Sequence, residues 1–79
     1  MNTYIFKFSQ DCPNNGISID YVLKIRTDFT LMVEKIKETS LFAKGFHEEM
    51  ADEFAKLGGY QVLTAMHHGV VIKTKRGTK

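Results

Sequence analysis

Residues 3 to 8 alternate strictly, with Tyr4, Phe6 and Phe8 pointing one way and Thr3, Ile5 and Lys7 the other. Aromatic residues recurring at period two mark a strand with one buried face. The stretch Ser9-Gln10-Asp11-Cys12-Pro13-Asn14-Asn15-Gly16 is the densest cluster of turn formers in the chain. Proline fixes φ there, and Asn-Gly supplies the positive φ that a tight reversal needs. Alternation then resumes: Ile17, Ile19, Tyr21, Leu23 and Ile25 share one face, and Ser18, Asp20, Val22, Lys24 and Arg26 the other. The pattern predicts a β-hairpin with one buried and one wet face.

After Arg26 the period changes. Thr27 or Asp28 is placed to cap a helix by accepting from its first free N–H groups. Phe29, Met32, Val33 and Ile36 then fall at i, i+3, i+4 and i+7, one apolar stripe. Glu34 and Glu38 lie a turn apart on the outer side, with Lys35 and Lys37 between them. Helical composition continues to Leu57, but a single rod from Asp28 would be about 45 Å long. A globule of this chain length is only about 25 to 30 Å across, so Thr39-Ser40 and Gly45 are the weak points where the rod is expected to bend or break. Gly45 followed by Phe46-His47-Glu48-Glu49 reads as a stop and a restart, with acids at the positive end of a new helix dipole. The second helical segment is expected to bury Phe46, Met50, Phe54 and Leu57 and to end at Gly58-Gly59.

Strand character returns over residues 60–66 and 70–75. Tyr60, Val62, Thr64 and Met66 alternate with Gln61, Leu63, Ala65 and His67, and His68-Gly69 sits where a tight turn belongs. Residues 73–79 form a basic tail that is expected to fray. The expected fold is α+β: an antiparallel sheet of two hairpins in the order ββ-α(α)-ββ, with one broken helix or two helices packed on one face.

Composition narrows the picture further. A chain of 79 residues is one domain, and it buries only about 60% of its unfolded surface. The lone Cys12 cannot form an internal disulfide, so a reducing, cytoplasmic setting is expected. The first residues lack a signal-peptide pattern, and no apolar run approaches the roughly 20 residues of a membrane span. A soluble protein with no membrane association is expected. The net charge of +2 is too small to name a polyanionic partner.

Candidate chemistry is sparse. His67-His68 resembles half of a metal site, but neighbouring strand residues point to opposite faces, and no further ligand lies at a fitting spacing. His47-Glu48-Glu49 lacks the second histidine of the zinc-protease helix, since position 51 is alanine. No base or helix N-terminus is placed by the sequence to activate the Cys12 thiol. There is no phosphate-cradling glycine loop, serine elbow or dinucleotide fingerprint. No catalytic residue, cofactor or metal is expected, and the chain does not read as an enzyme.

Charge, in contrast, is sorted. Glu48, Glu49, Asp52 and Glu53 place four of the nine acids on one helix face, with like charges one turn apart. The plain reading is a solvated surface relieved by Lys56; the functional one is an acidic patch that docks a protein partner. On the wet sheet face, Lys7, Lys24 and Arg26 are expected together, with Lys73 and Lys75 joining and Arg76 and Lys79 following in the tail. That stripe could track a phosphate backbone, although Tyr4, Phe6, Phe8 and Tyr21 fall on the core face and leave no stacking platform. Ile5 and Val22 are the apolar exceptions there. The expected function is a small non-enzymatic protein-binding module that regulates or inhibits a larger protein or complex, engaging its partner through the acidic helix, an exposed sheet edge or both. Stand-alone domains of this kind include phage proteins that antagonise host defence systems. The alternative is a nucleic-acid-binding module using the basic face. A homodimer would add buried surface to so small a domain.

Overall fold

The computed structural model describes residues 1–11, 16, 18–42, 46–67 and 69–77, with His67 described by its backbone alone. Cys12, Ile17, Gly45, His68 and Lys79 lie outside the described residues. The elements run β1 (Asn2–Asp11), β2 (Ser18–Thr27), α1 (Val33–Phe42), α2 (His47–Ala55), β3 (Tyr60–His67) and β4 (Val70–Arg76). The four strands form one antiparallel sheet in the order β1-β2-β3-β4, so every neighbour in the sheet is also the next strand in the chain. Both hairpins and the ββ-α-ββ order are as expected. Gly16 and Gly69 have φ of +72° and +79°, the left-handed conformation anticipated at the two reversals.

Alternation decides the core. In β2, Ile19, Tyr21, Leu23, Ile25 and Thr27 are buried. In β3 the buried set is Gln61, Leu63 and Ala65. Met50, Ala51 and Phe54 of α2 close over them, and α2 packs across β3 and β4. Full burial of Phe54 and Met50 stabilises the fold by about 1.5–3 kcal/mol each. Tyr4, Phe6 and Phe8 of the outer strand β1 are only half-buried against this cluster. Phe6, Phe8 and Tyr21 stack in a row, with ring centroids 5.3 and 5.1 Å apart.

The helical middle departs from expectation in three places. Residues 28–32 are not helical, and Phe29, Met32 and Val33 are exposed rather than a core stripe; only Ile36 of that set is buried. Long-range bonds hold the segment in another shape: Leu31 N–H donates to the Tyr4 hydroxyl at 2.8 Å, and Asn2 Nδ2 donates to the Phe29 carbonyl at 3.2 Å. Thr27 closes β2, its hydroxyl donating to the Phe29 carbonyl instead of accepting from a helix start. Secondly, α1 does not break at Thr39-Ser40. Both hydroxyls bond back to the preceding turn, to the Lys35 and Lys37 carbonyls at 2.8 and 2.6 Å. Thirdly, Phe46 is exposed at the start of α2 instead of joining Met50, Phe54 and the partly buried Leu57. The molecule is 38 Å long, still shorter than the roughly 45 Å rod that one unbroken helix would need.

Candidate functional site

Two surfaces carry the charge singled out by the sequence, and the register fixes who shares each. On the uncovered face of the sheet, Thr3, Arg26 and Tyr60 form one cross-strand row. The next row is Ile5, Lys24, Val62 and Lys75, and after it come Lys7, Val22, Thr64 and Lys73. Lys7, Lys24, Arg26, Lys73 and Lys75 are therefore together on one open face, as expected. Lysines two apart on a strand are separated by about 6.6 Å and neighbouring strands by about 4.8 Å, so these cations are spread over the sheet as a field. The acids Asp11 and Asp20 share this face but lie towards its other end. The Ser9 hydroxyl donates to Asp20 at 2.7 Å.

Two corrections apply to this surface. Arg76 is not part of it: one position beyond Lys75 on the strand, it points to the helix side, where its Nε donates to Asp52 at 2.8 Å. Nor is the basic stretch from Lys73 a frayed tail, because β4 pairs with β3 as far as Arg76. The face is also more apolar than anticipated. Ile5, Met66 and Val71 are exposed on it, and Tyr60 lies across from Arg26, an aromatic that alternation alone left unassigned.

The acidic surface on α2 is divided by pairing. Asp52 meets Arg76, and Glu53 accepts from Lys56 Nζ at 3.0 Å. Glu48 and Glu49, in the first turn, form no ion pair with any described residue. Exposed pairs are worth only about 0.2–1 kcal/mol, so Asp52 and Glu53 remain exchangeable. What the sequence reading missed is the apolar company. Leu41, Phe42 and Phe46 are 68%, 75% and 51% exposed, and they flank the α1–α2 connection immediately before Glu48 and Glu49. Their signal was present in the sequence as a Phe at either end of the Ala43-Lys44-Gly45 link, which the helical period had assigned in part to the core.

His47 begins α2 and is the one titratable group among the described residues with a displaced pKa. Burial pushes it below the usual histidine value, outweighing the Leu63 carbonyl and Glu48, which favour the cation. Its Nε2 lies 3.1 Å from the Leu63 carbonyl, so the neutral ring donates there, and its buried Nδ1 has no partner among the described residues. Tyr21 packs against the ring at 5.9 Å. The His67-His68 pair and Cys12 have no described side chains. Among the described residues no group of three His, Cys, Asp or Glu is placed to hold a metal, and no helix is long and apolar enough to cross a membrane. No family model, curated protein or solved structure matches this chain.

Proposed function

We propose that this chain is a small, non-enzymatic, cytoplasmic protein-binding module that regulates or inhibits a larger protein or complex, in the manner of a phage antagonist of host defence. The observation that carries the reading is the exposed trio Leu41, Phe42 and Phe46 close in the chain to Glu48 and Glu49, which form no ion pair with any described residue. Interfaces concentrate their energy in large apolar, chiefly aromatic, anchors ringed by polar groups that fix register and partner choice. Exposed phenylalanines confer nothing on an isolated 79-residue domain and expose it to aggregation. Asp52 and Glu53 extend the acidic rim once a basic partner competes with Arg76 and Lys56.

A second reading rests on a separate observation, the five cations Lys7, Lys24, Arg26, Lys73 and Lys75 that share the open sheet face. These suit a phosphate backbone, with Tyr60 beside Arg26 as a single stacking surface.

One experiment separates the two. The purified protein is used to retrieve its protein partner, and to titrate labelled duplex DNA, single-stranded DNA and RNA at low and moderate salt. Glu48→Lys/Glu49→Lys and Phe42→Ser should each abolish partner retrieval and leave any nucleic-acid binding intact. Lys24→Glu/Arg26→Glu should do the converse. For five phosphate contacts, a fourfold rise in salt weakens single-strand binding by roughly a hundredfold. Partner retrieval that tolerates both the Phe42 and the Glu48/Glu49 variants refutes the first reading, and the absence of nucleic-acid binding at low salt removes the second.

A further inference from the structure

We infer that the outer edge of β1 is a self-association surface, and that it takes a second copy of this chain by antiparallel β1–β1 pairing about a two-fold axis at Phe6. The two edges of the sheet are built differently. β4 is seven residues long and carries Lys73, Lys75 and Arg76, the charged guard that keeps other strands away. β1 is ten residues long, contains neither proline nor glycine, and holds one lysine in its centre. Its ends are tied to its own subunit, Asn2 to the Phe29 carbonyl and Gln10 Nε2 to the Ser40 carbonyl at 2.8 Å, so the edge is held extended before any partner arrives. An open groove of about 280 Å³ adjoins it, lined by residues 3–6 of β1 and by Val33, Ile36 and Lys37 of α1.

The partner's identity comes from the strand itself, because β1 is chemically palindromic. Opposed residues in an antiparallel pair share a face, so a two-fold axis at Phe6 sets Phe6 against Phe6 and Tyr4 against Phe8 on the covered side. On the open side it sets Thr3 against Ser9 and Ile5 against Lys7. Aromatic meets aromatic, hydroxyl meets hydroxyl, and each lysine lies along an isoleucine instead of facing its own copy. Moving the axis to Lys7 would oppose the two lysines, and moving it to Ile5 would lose the central aromatic pair. Cross-strand neighbours lie about 4.5–5.5 Å apart, which matches the stacking already present along Phe6, Phe8 and Tyr21. The half-buried aromatics of β1 would thereby complete their burial, and the two grooves would adjoin at the axis.

The test is the mass of the intact protein in solution by light scattering across a concentration series. A dimer, twice the 9.0 kDa of the chain, is expected. Ile5→Lys, at a site 62% exposed and free of core contacts, sets lysine against lysine twice per dimer and should halve the mass. Val71→Lys, exposed on the opposite edge, should leave it unchanged. The register is read separately by cross-linking. In a Cys12→Ser background, Thr3→Cys combined with Ser9→Cys should oxidise to a disulfide-linked dimer, and Thr3→Cys alone should not. That cross-link also decides the matter if Ile5→Lys fails to fold. A monomer at every concentration overturns the inference. So does a dimer that Ile5→Lys leaves intact, one that Val71→Lys dissociates, or equal cross-linking by the single cysteine variant.

Discussion

Gln61 offers a test of the core that changes no volume. It is buried on the face of β3 where its neighbours are Leu63 and Ala65, and its Nε2 donates twice, to the Phe54 carbonyl at 2.7 Å and to the Gly58 carbonyl at 2.9 Å. These bonds fasten the end of α2 to the sheet. Gln61→Glu replaces that donor by an oxygen of nearly the same size and sets it against two carbonyl oxygens. An ionised carboxylate there would be buried without a cation, so the folded protein must keep the group protonated. Holding a carboxyl of reference pKa about 4.3 neutral at pH 7 costs about 3.7 kcal/mol, at about 1.36 kcal/mol per pH unit. The acid has one proton to donate where the amide had two, which loses about 1 kcal/mol more. The expected loss at pH 7 is therefore about 4–5 kcal/mol, against a total of roughly 4–12 kcal/mol for a domain of this size. The sign follows from a pKa raised by folding. The variant is nearly restored below the reference pKa of about 4.3 and weakens steadily as pH rises above it. Urea unfolding at a series of pH values, read beside the parent protein, measures the difference. A variant within about 1 kcal/mol of the parent at pH 7 would refute the claim that this amide is sealed against the end of α2.

Two further outcomes follow from particular contacts. Gly59 has φ of +81°, and a Cβ there would lie 2.6 Å from the Arg26 carbonyl oxygen and 2.7 Å from Thr27 Cγ2. Gly59→Ala should thus lose more than the about 1–2 kcal/mol of the left-handed conformation itself, whereas Gly69→Ala, with nothing within 4 Å, should lose no more than that; thermal unfolding of the pair makes the comparison. For His47, burial lowers the pKa in the folded state, so the unfolded chain binds the proton more readily. Stability should fall as pH drops below about 6.5 and level off at the lower folded-state value. His47→Gln should remove that limb of the profile in chemical denaturation.

The strands were legible because period-two alternation survives in any tertiary setting that buries one face. The same rule assigns Arg76 to the helix side, since it is one residue beyond Lys75; grouping the basic residues by their closeness in sequence concealed this. The stripe at Phe29, Met32 and Val33 misled for another reason. Its spacing is helical, but the Tyr4 hydroxyl and the Asn2 amide, both on a strand more than twenty residues earlier, take the hydrogen bonds of that segment. A local pattern cannot register a competitor so distant in sequence. For the candidate surfaces, the acidic cluster was visible, but its division was not. The pairing of Asp52 depends on where β4 passes α2, and only the packed structure brings Arg76 there.

The sequential order of the strands has a consequence for how the chain can vary. Both helices lie within the one connection that is not a hairpin, the thirty-two residues from Asp28 to Gly59. The entropy of closing a loop grows only with the logarithm of its length, so doubling this connection would cost about 0.6 kcal/mol. The other two connections, by contrast, join strands that pair directly with one another, so a change of length there bears on the register. Length and surface chemistry can therefore drift in the helical layer while the sheet beneath it keeps its pairing.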